Sequence, residues 1–232
     1  MLLSTISGFN LNRKNFINYH TGIITTSNLK IDSNSVDNTQ VVAPKIVMND
    51  ISNNQDVLEN INNDIYFYGA VNMKSCLQLK DYLLDLNLKA KIFRAQYTID
   101  PPPINLHIQS SGGSLLHAFY IIDLIRTLDT PVYTYIDGFA ASAATLISVV
   151  GKKRFITKNS LMLIHQLSSS ESGKYNELKD EMTNFDTMMN NIRNIYLDNS
   201  KLENTQLEEL LSHDLWLNSN TALKYGLVDE IL

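Results

Sequence analysis

Ser142 holds the position in this chain best suited to chemistry. It follows an apolar strand-like run at residues 131–136 and the Gly138 turn, and it opens a helix flanked by Ala140, Ala141, Ala143 and Ala144. A serine at that place can be a helix N-cap, a small residue that lets the alanines pack, or a nucleophile. The surroundings favour looking for chemistry. A helix amino terminus offers free backbone N–H groups to a developing oxyanion. The Gly112-Gly113 turn can offer another, because glycine lets backbone approach a ligand without a Cβ in the way.

A nucleophilic serine needs a base and a group to orient that base. The chain has five histidines. His20 lies in the amino-terminal region, and His107 lies inside a strand. His117 is one turn into the helix after the double glycine, and His213 sits at a helix end beside Asp214. His165 closes the apolar run at residues 160–164 and precedes a polar loop, so a strand end would carry it towards a cleft. A satisfied core histidine fits the same spacing.

The elements that must position these residues alternate. Residues 64–69 read as a short apolar strand ending in a turn. Residues 73–86 place Cys76, Leu77, Leu79, Tyr82, Leu83 and Leu86 on one broad helical face, with Cys76 as a small core residue. A polar stretch from Asn87 ends in Pro101-Pro102-Pro103 and is expected as a stiff connector. Residues 104–108 form a strand, a helix follows from Ser114, residues 131–136 form the next strand, and the apolar run at 139–150 is expected as a buried helix. Strand alternating with helix, with glycine at the turns, predicts an α/β chain with right-handed crossovers and a largely parallel sheet. In such sheets the site lies off the carboxyl ends of the strands.

Composition narrows the rest. The chain has 232 residues, enough for a full core, and one cysteine, which excludes a disulfide framework and a Cys-based zinc site. Its net charge of −5 argues against a nucleic-acid-binding face. No apolar run approaches the ~20 residues of a membrane span, and no secretory signal is evident. Thirteen of the 26 asparagines fall in the first 63 residues, where no apolar patch is long or clearly periodic. Residues 1–60 are therefore read as an arm: a propeptide, a targeting segment, an extension that orders against a neighbour, or a disordered tail. Residues 61–232 form the expected catalytic domain. A cytoplasmic location is expected, or an organellar one if the arm, which has no acid before Asp32, is a transit peptide.

Several segments together resemble one family. Residues 138–144 are similar to the nucleophile segment of the Clp protease proteolytic subunit family, serine peptidases of the crotonase-like fold. Residues 159–166 resemble its histidine segment, residues 216–232 its carboxyl-terminal segment, and Ser111-Gly112-Gly113-Ser114 its glycine turn. The resemblance runs from about Asp64 to the end. It implies repeated ββα units with a protruding helix, here residues 173–201 with Leu178, Met182, Phe185, Met189, Ile192 and Tyr196 at helical spacing, a spacing that an ordinary core-facing helix meets equally well.

It also implies roles: Ser142 as nucleophile, His165 as general base and acid, Asp214 as the residue orienting the imidazole, and the backbone N–H groups of Gly113 and Ala143 as the oxyanion hole. The family works as two stacked heptameric rings around a chamber, fed unfolded polypeptide by an AAA+ unfoldase, without metal or cofactor. This sequence departs from the family pattern at Ser111 and Leu167, where proline is usual, and at residues 168–173, which replace a glycine-rich strand. Two other readings stand beside it: an inactive ring subunit that keeps the fold, and a crotonase-fold enzyme with other acyl chemistry. A Ser-Lys peptidase would need a lysine in place of His165, whereas Lys152 and Lys153 are expected on an exposed turn.

Overall fold

The computed structural model describes residues 57–232, so the readings of residues 1–56 lie outside the described residues. The described chain begins with a hairpin. β1 (Val57–Ile61) pairs antiparallel with β2 (Asp64–Tyr68), and Asn62 turns the corner at φ 60, a left-handed conformation that asparagine tolerates. Val57 to Asn60, inside the segment read as arm, are thus paired strand residues.

Helix α1 (Met73–Tyr97) opens on a capping box in which Asn72 Oδ1 accepts from the Ser75 N–H and Ser75 Oγ accepts from the Asn72 N–H. Cys76, Leu79, Leu83, Leu86 and Ala90 are buried at helical spacing, and burial pushes the Cys76 thiol up, as suits core filler. Two expectations are corrected here. Leu77, placed on the buried face, is exposed. The helix also runs on through residues 87–97, which were expected as a connector. Leu88, Lys89, Ala90, Lys91 and Ala95 are strong helix formers, and Lys89 bridges Asp85 one turn back at 2.6 Å. It ends only where Thr98 turns left-handed at φ 55, ahead of Pro101. Asn87 Oδ1 accepts from the Thr130 N–H and ties this added length to the body.

Then β3 (Ile104–Ser110) lies parallel to β2, α2 (Leu115–Thr127) crosses over, and β4 (Val132–Ala141) lies parallel to β3. Helix α3 (Ala143–Val149) is buried along its whole length. The apolar run at 139–150 is therefore not one helix. Residues 139–141 finish β4, and only Ala143 onward is helical, because those three residues find strand partners of their own in β6 (Leu161–Leu163). Strand β4 changes partners across Gly138, whose φ of +85 accompanies a break in register between the Ile108–Ile136 and Ser110–Ala140 pairs.

β5 (Lys153–Ile156), which the sequence reading did not identify, runs parallel to β4. Lys152 and Lys153 are exposed, as expected, but Lys153 opens β5 instead of lying in the turn. No strand forms at residues 164–174, a serine-rich segment that has no strand partner among the described residues.

Helix α4 (Tyr175–Asn199) buries Ile192, Ile195 and Tyr196, and no residue before Ile192 is buried, so its first half stands clear of the core. α5 (Asn204–Leu211), β7 (Trp216–Asn218), α6 (Ser219–Lys224) and β8 (Glu230–Ile231) complete the chain. The sheet order is β1-β2-β3-β4-β5-β8, with β6 between β4 and β7. Apart from the β1–β2 and β6–β7 pairs, all neighbours are parallel. The fold is the expected mixed α/β architecture with a projecting helix. Among the described residues no helix is long and apolar enough to cross a membrane.

Candidate active site

Three short strands bring the chemistry together. β6 lies between β4 and β7, with Leu163 paired to Ala141 on one side and to Trp216 on the other. Ser142 is the next residue after Ala141, and its N–H donates to the Leu163 carbonyl at 2.9 Å. His165 lies two residues beyond Leu163, and Asp214 two before Trp216. Continuing the antiparallel register of β6 and β7 therefore sets His165 opposite Asp214. The Gln166 N–H, bonded to the Leu211 carbonyl at 2.9 Å, fixes the chain just past the histidine.

The backbone of Ser142 is strained. Its φ of 54 and ψ of −129 place a non-glycine residue where few are found, at a cost of about 1–3 kcal/mol. A sharp strand-to-helix turn of this kind lifts a side chain out of the sheet and towards a cleft. The turn before α2 packs directly behind it. Gly112, at φ +89, sits so close that a Cβ there would lie 2.6 Å from the Ala141 carbonyl oxygen, 2.7 Å from Ser142 Cβ and 2.9 Å from the Ala143 nitrogen. Glycine is required at 112 for conformation and for space alike.

Two N–H groups beside this turn have no backbone acceptor among the described residues. Gly113 forms a parallel bridge with Val71 in which Val71 donates to Gly112 at 2.8 Å and Ser114 donates to Val71 at 2.7 Å. That pattern leaves the N–H of Gly113 itself outside the ladder. Ala143 is the first residue of α3, where the helix provides its N–H no acceptor. Gly113, Ser142, Ala143 and His165 line one cleft, whose apolar wall comes from Leu115, Leu146, Leu167 and Ile192.

The structure thus brings Ser142, His165, Gly113 and Ala143 to one cleft, and sets Asp214 at its edge rather than in it. His165 Nδ1 is 3.9 Å from Asp214 Oδ1, beyond hydrogen-bond length, and the Asp214 side chain is 83% exposed.

Two other histidines make shorter contacts. His107 Nδ1 is 2.8 Å from Asp137 Oδ2, but its ring is stacked between Tyr66 and Tyr135 and, unlike His165, does not line the Ser142 cleft. Burial and the same Asp137, which accepts from its hydroxyl at 2.8 Å, push the Tyr68 phenol up. His117 Nδ1 is 2.6 Å from Ser114 Oγ, a contact within the first turn of α2 that no carboxylate supports among the described residues. His213 lies past the end of α5.

Two residues of the site were not singled out for it in the sequence. Thr145 Oγ1 donates to the Ser142 carbonyl at 2.6 Å and lies 2.6 Å from the hydroxyl of Tyr196, another lining residue. Thr145 stands three residues after Ser142, and Tyr196 on the apolar stripe of α4, but nothing local in the sequence joins them.

Comparison with known proteins bears on this arrangement. Residues 86–232 match the family model described as Clp protease. The chain belongs to the Clp protease family. It is 33% identical over 131 residues to the ATP-dependent Clp protease proteolytic subunit 2 of Treponema denticola, covering 56% of this chain and 66% of that protein. It is 29% identical over 146 residues to the ATP-dependent Clp protease proteolytic subunit 1 of Protochlamydia amoebophila, covering 61% and 71%. The corresponding subunit 1 of Chlamydia trachomatis is 27% identical over 146 residues, covering 61% and 76%. The chain thus spans just under two thirds of the length of the Treponema relative. The segment matching the Clp protease model contains Gly113, Ser142, Ala143, His165 and Asp214, and it begins within α1.

Proposed function

We propose that this chain is the peptide-hydrolysing subunit of a Clp-type protease, with Ser142 as its nucleophile. The observation that carries the proposal is the strained Ser142 turn, set beside His165 and beside the N–H groups of Gly113 and Ala143, which have no backbone acceptor among the described residues. In the proposed reaction Ser142 Oγ attacks the carbonyl carbon of a peptide bond while His165 takes its proton. The oxygen that becomes negative is held by the N–H groups of Gly113 and Ala143, and His165 then protonates the departing amine. A water, activated by the same histidine, releases the acyl group. Asp214 orients the imidazole once it has moved about 1 Å closer. Leu115, Leu146, Leu167 and Ile192 favour an apolar side chain next to the bond that is cut.

The assembly proposed with this role is a pair of stacked heptameric rings fed unfolded chain by an AAA+ unfoldase. Two surfaces, one exposed and one half-buried, support it. Tyr175, Leu178 and Met182 lie exposed on the projecting half of α4, and the half-buried stacked rings of Tyr66, His107, Tyr135 and Phe155 line the side of the sheet away from α1 and α2. Burial of Asp214 by a neighbouring subunit would draw it towards His165.

The open distance of 3.9 Å between His165 and Asp214 favours the second reading, an inactive ring subunit. Hydrolysis of a short fluorogenic peptide by the assembled full-length chain separates the two. The expected result is turnover that Ser142→Ala reduces by a factor on the order of 10⁶, or to background. Assembled protein with no turnover, alone or with an unfoldase, would favour the inactive subunit.

A further inference from the structure

We infer that Thr145 and Tyr196 are positioning residues that aim the oxyanion-binding N–H of Ala143. This inference rests on the reading of Ser142 as nucleophile. A carbonyl oxygen only accepts, so in its 2.6 Å contact with the Ser142 carbonyl Thr145 Oγ1 must donate its single proton. In its second contact, 2.6 Å from the Tyr196 hydroxyl, Thr145 Oγ1 therefore accepts and Tyr196 donates. The direction of the chain is fixed: Tyr196 to Thr145 to the Ser142 carbonyl. Thr145 is 0% and Tyr196 2% exposed, so water does not compete for these bonds. Burial also pushes the Tyr196 phenol up, which keeps it protonated and a donor.

The consequence lies in the peptide unit that the chain grips. The Ser142 carbonyl and the Ala143 N–H belong to one planar trans peptide, in which the two bonds point in opposite directions. Whatever holds the oxygen also sets the direction of the N–H. The Thr145 N–H donates to the same oxygen at 3.0 Å, so backbone and side chain of one residue clamp it from inside α3. Tyr196 braces that clamp from α4, the helix whose other half projects from the fold. The strained ψ of −129 at Ser142 is the torsion that would relax if the clamp were lost, and its relaxation would swing the Ala143 N–H away from the cleft.

Four variants of the assembled full-length protein test this: Thr145→Val, Thr145→Ser, Tyr196→Phe and Ser142→Ala. Thr145→Val keeps the shape and removes the donor, and it should lower kcat by about 10-fold or more with KM unchanged, since an oxyanion contact acts in the transition state. Thr145→Ser restores the hydroxyl and should return kcat to within about two-fold. Tyr196→Phe keeps the ring and should give a smaller loss in kcat alone. Binding of a peptide boronate, which mimics the tetrahedral oxyanion, should weaken in step with kcat. A merely structural role would instead change melting or assembly and leave the kcat-to-KM split unmoved.

Wild-type kcat and boronate affinity in folded, assembled Thr145→Val would overturn the inference, as would a crystal structure of that variant with the 142–143 peptide unmoved. Should Thr145→Val not fold, Tyr196→Phe at wild-type kcat would overturn it in the same way. Failure of the underlying reading looks different: the assembled wild type would then turn over no peptide, or Ser142→Ala would turn it over equally well.

Discussion

Ser142 occupies its turn only because a residue without a side chain stands behind it. Gly112→Ala would place a Cβ within 2.6–2.9 Å of three atoms of residues 141–143, at a φ of +89 that alanine resists. Overpacking and backbone strain together should cost about 2–5 kcal/mol. Loss of several degrees in Tm is expected, with loss of peptidase turnover beyond what the residual folded fraction explains. Gly173→Ala is the control: its added Cβ meets chiefly the flexible Glu177 side chain, at 2.9 Å, so stability and rate should stay near wild type. A glycine-poor chain made the double glycine legible, because so few positions could hold a tight turn beside a strand. Asp214 was legible only by resemblance, since what sets it opposite His165 is the pairing of β6 with β7, a long-range register. Distance alone would have misled, because His107 and Asp137 make the tighter pair at 2.8 Å away from the Ser142 cleft.

At the scale of elements, α3 does the positioning, and it carries a flaw. Ser148 Oγ is buried there with no hydrogen-bond partner among the described residues, although the Ser148 carbonyl accepts from Thr134 Oγ1 at 2.8 Å. Removing an orphaned hydroxyl relieves its desolvation, and alanine is the better helix former. Ser148→Ala should therefore raise stability by about 1 kcal/mol, or Tm by about 2–4 °C, with peptidase turnover unchanged. A lower Tm would mean that the hydroxyl has a role in packing. The split of residues 139–150 into strand and helix was not legible, because an unbroken apolar run suits a buried strand and a buried helix alike. The true boundary is the strained backbone at Ser142, which no local pattern announces. The length of α1 was missed for the opposite reason: residues 87–97, read as a polar stretch, mix Lys89, Lys91 and Arg94 with the exposed Leu88, Ile92, Phe93 and Tyr97, and without a clean apolar stripe the strong helix propensity there went unread.

For the whole molecule, the carboxyl-terminal segment is tied to the sheet through Asp229. Its carboxylate accepts from the Arg154 N–H at 2.9 Å and from the guanidinium at 3.0 and 2.5 Å, while its own N–H donates to the Arg154 carbonyl at 2.7 Å. Burial pushes the Asp229 carboxyl up, but the hydrogen bonds and charge of Arg154 outweigh it, and the net shift is downward. A carboxylate with a depressed folded value contributes stability above its unfolded pKa of ~3.9, and that contribution is lost as pH falls through the lower folded value. Asp229→Asn should be less stable than wild type at pH 7, and the gap should narrow on acidification below about pH 4, as read by urea unfolding. Its side chain is 43% exposed, so the effect is modest. An equal gap at every pH would show that the carboxylate charge contributes nothing.

The central claim is that Ser142 is an activated nucleophile in this fold. Treating the assembled full-length protein with a fluorophosphonate and mapping the adduct by mass spectrometry tests it most directly. The account predicts one adduct per subunit, on Ser142, absent from Ser142→Ala and formed far more slowly in His165→Ala. Assembled protein that takes up no adduct at Ser142, or takes it up at Ser114 beside His117 instead, would contradict it.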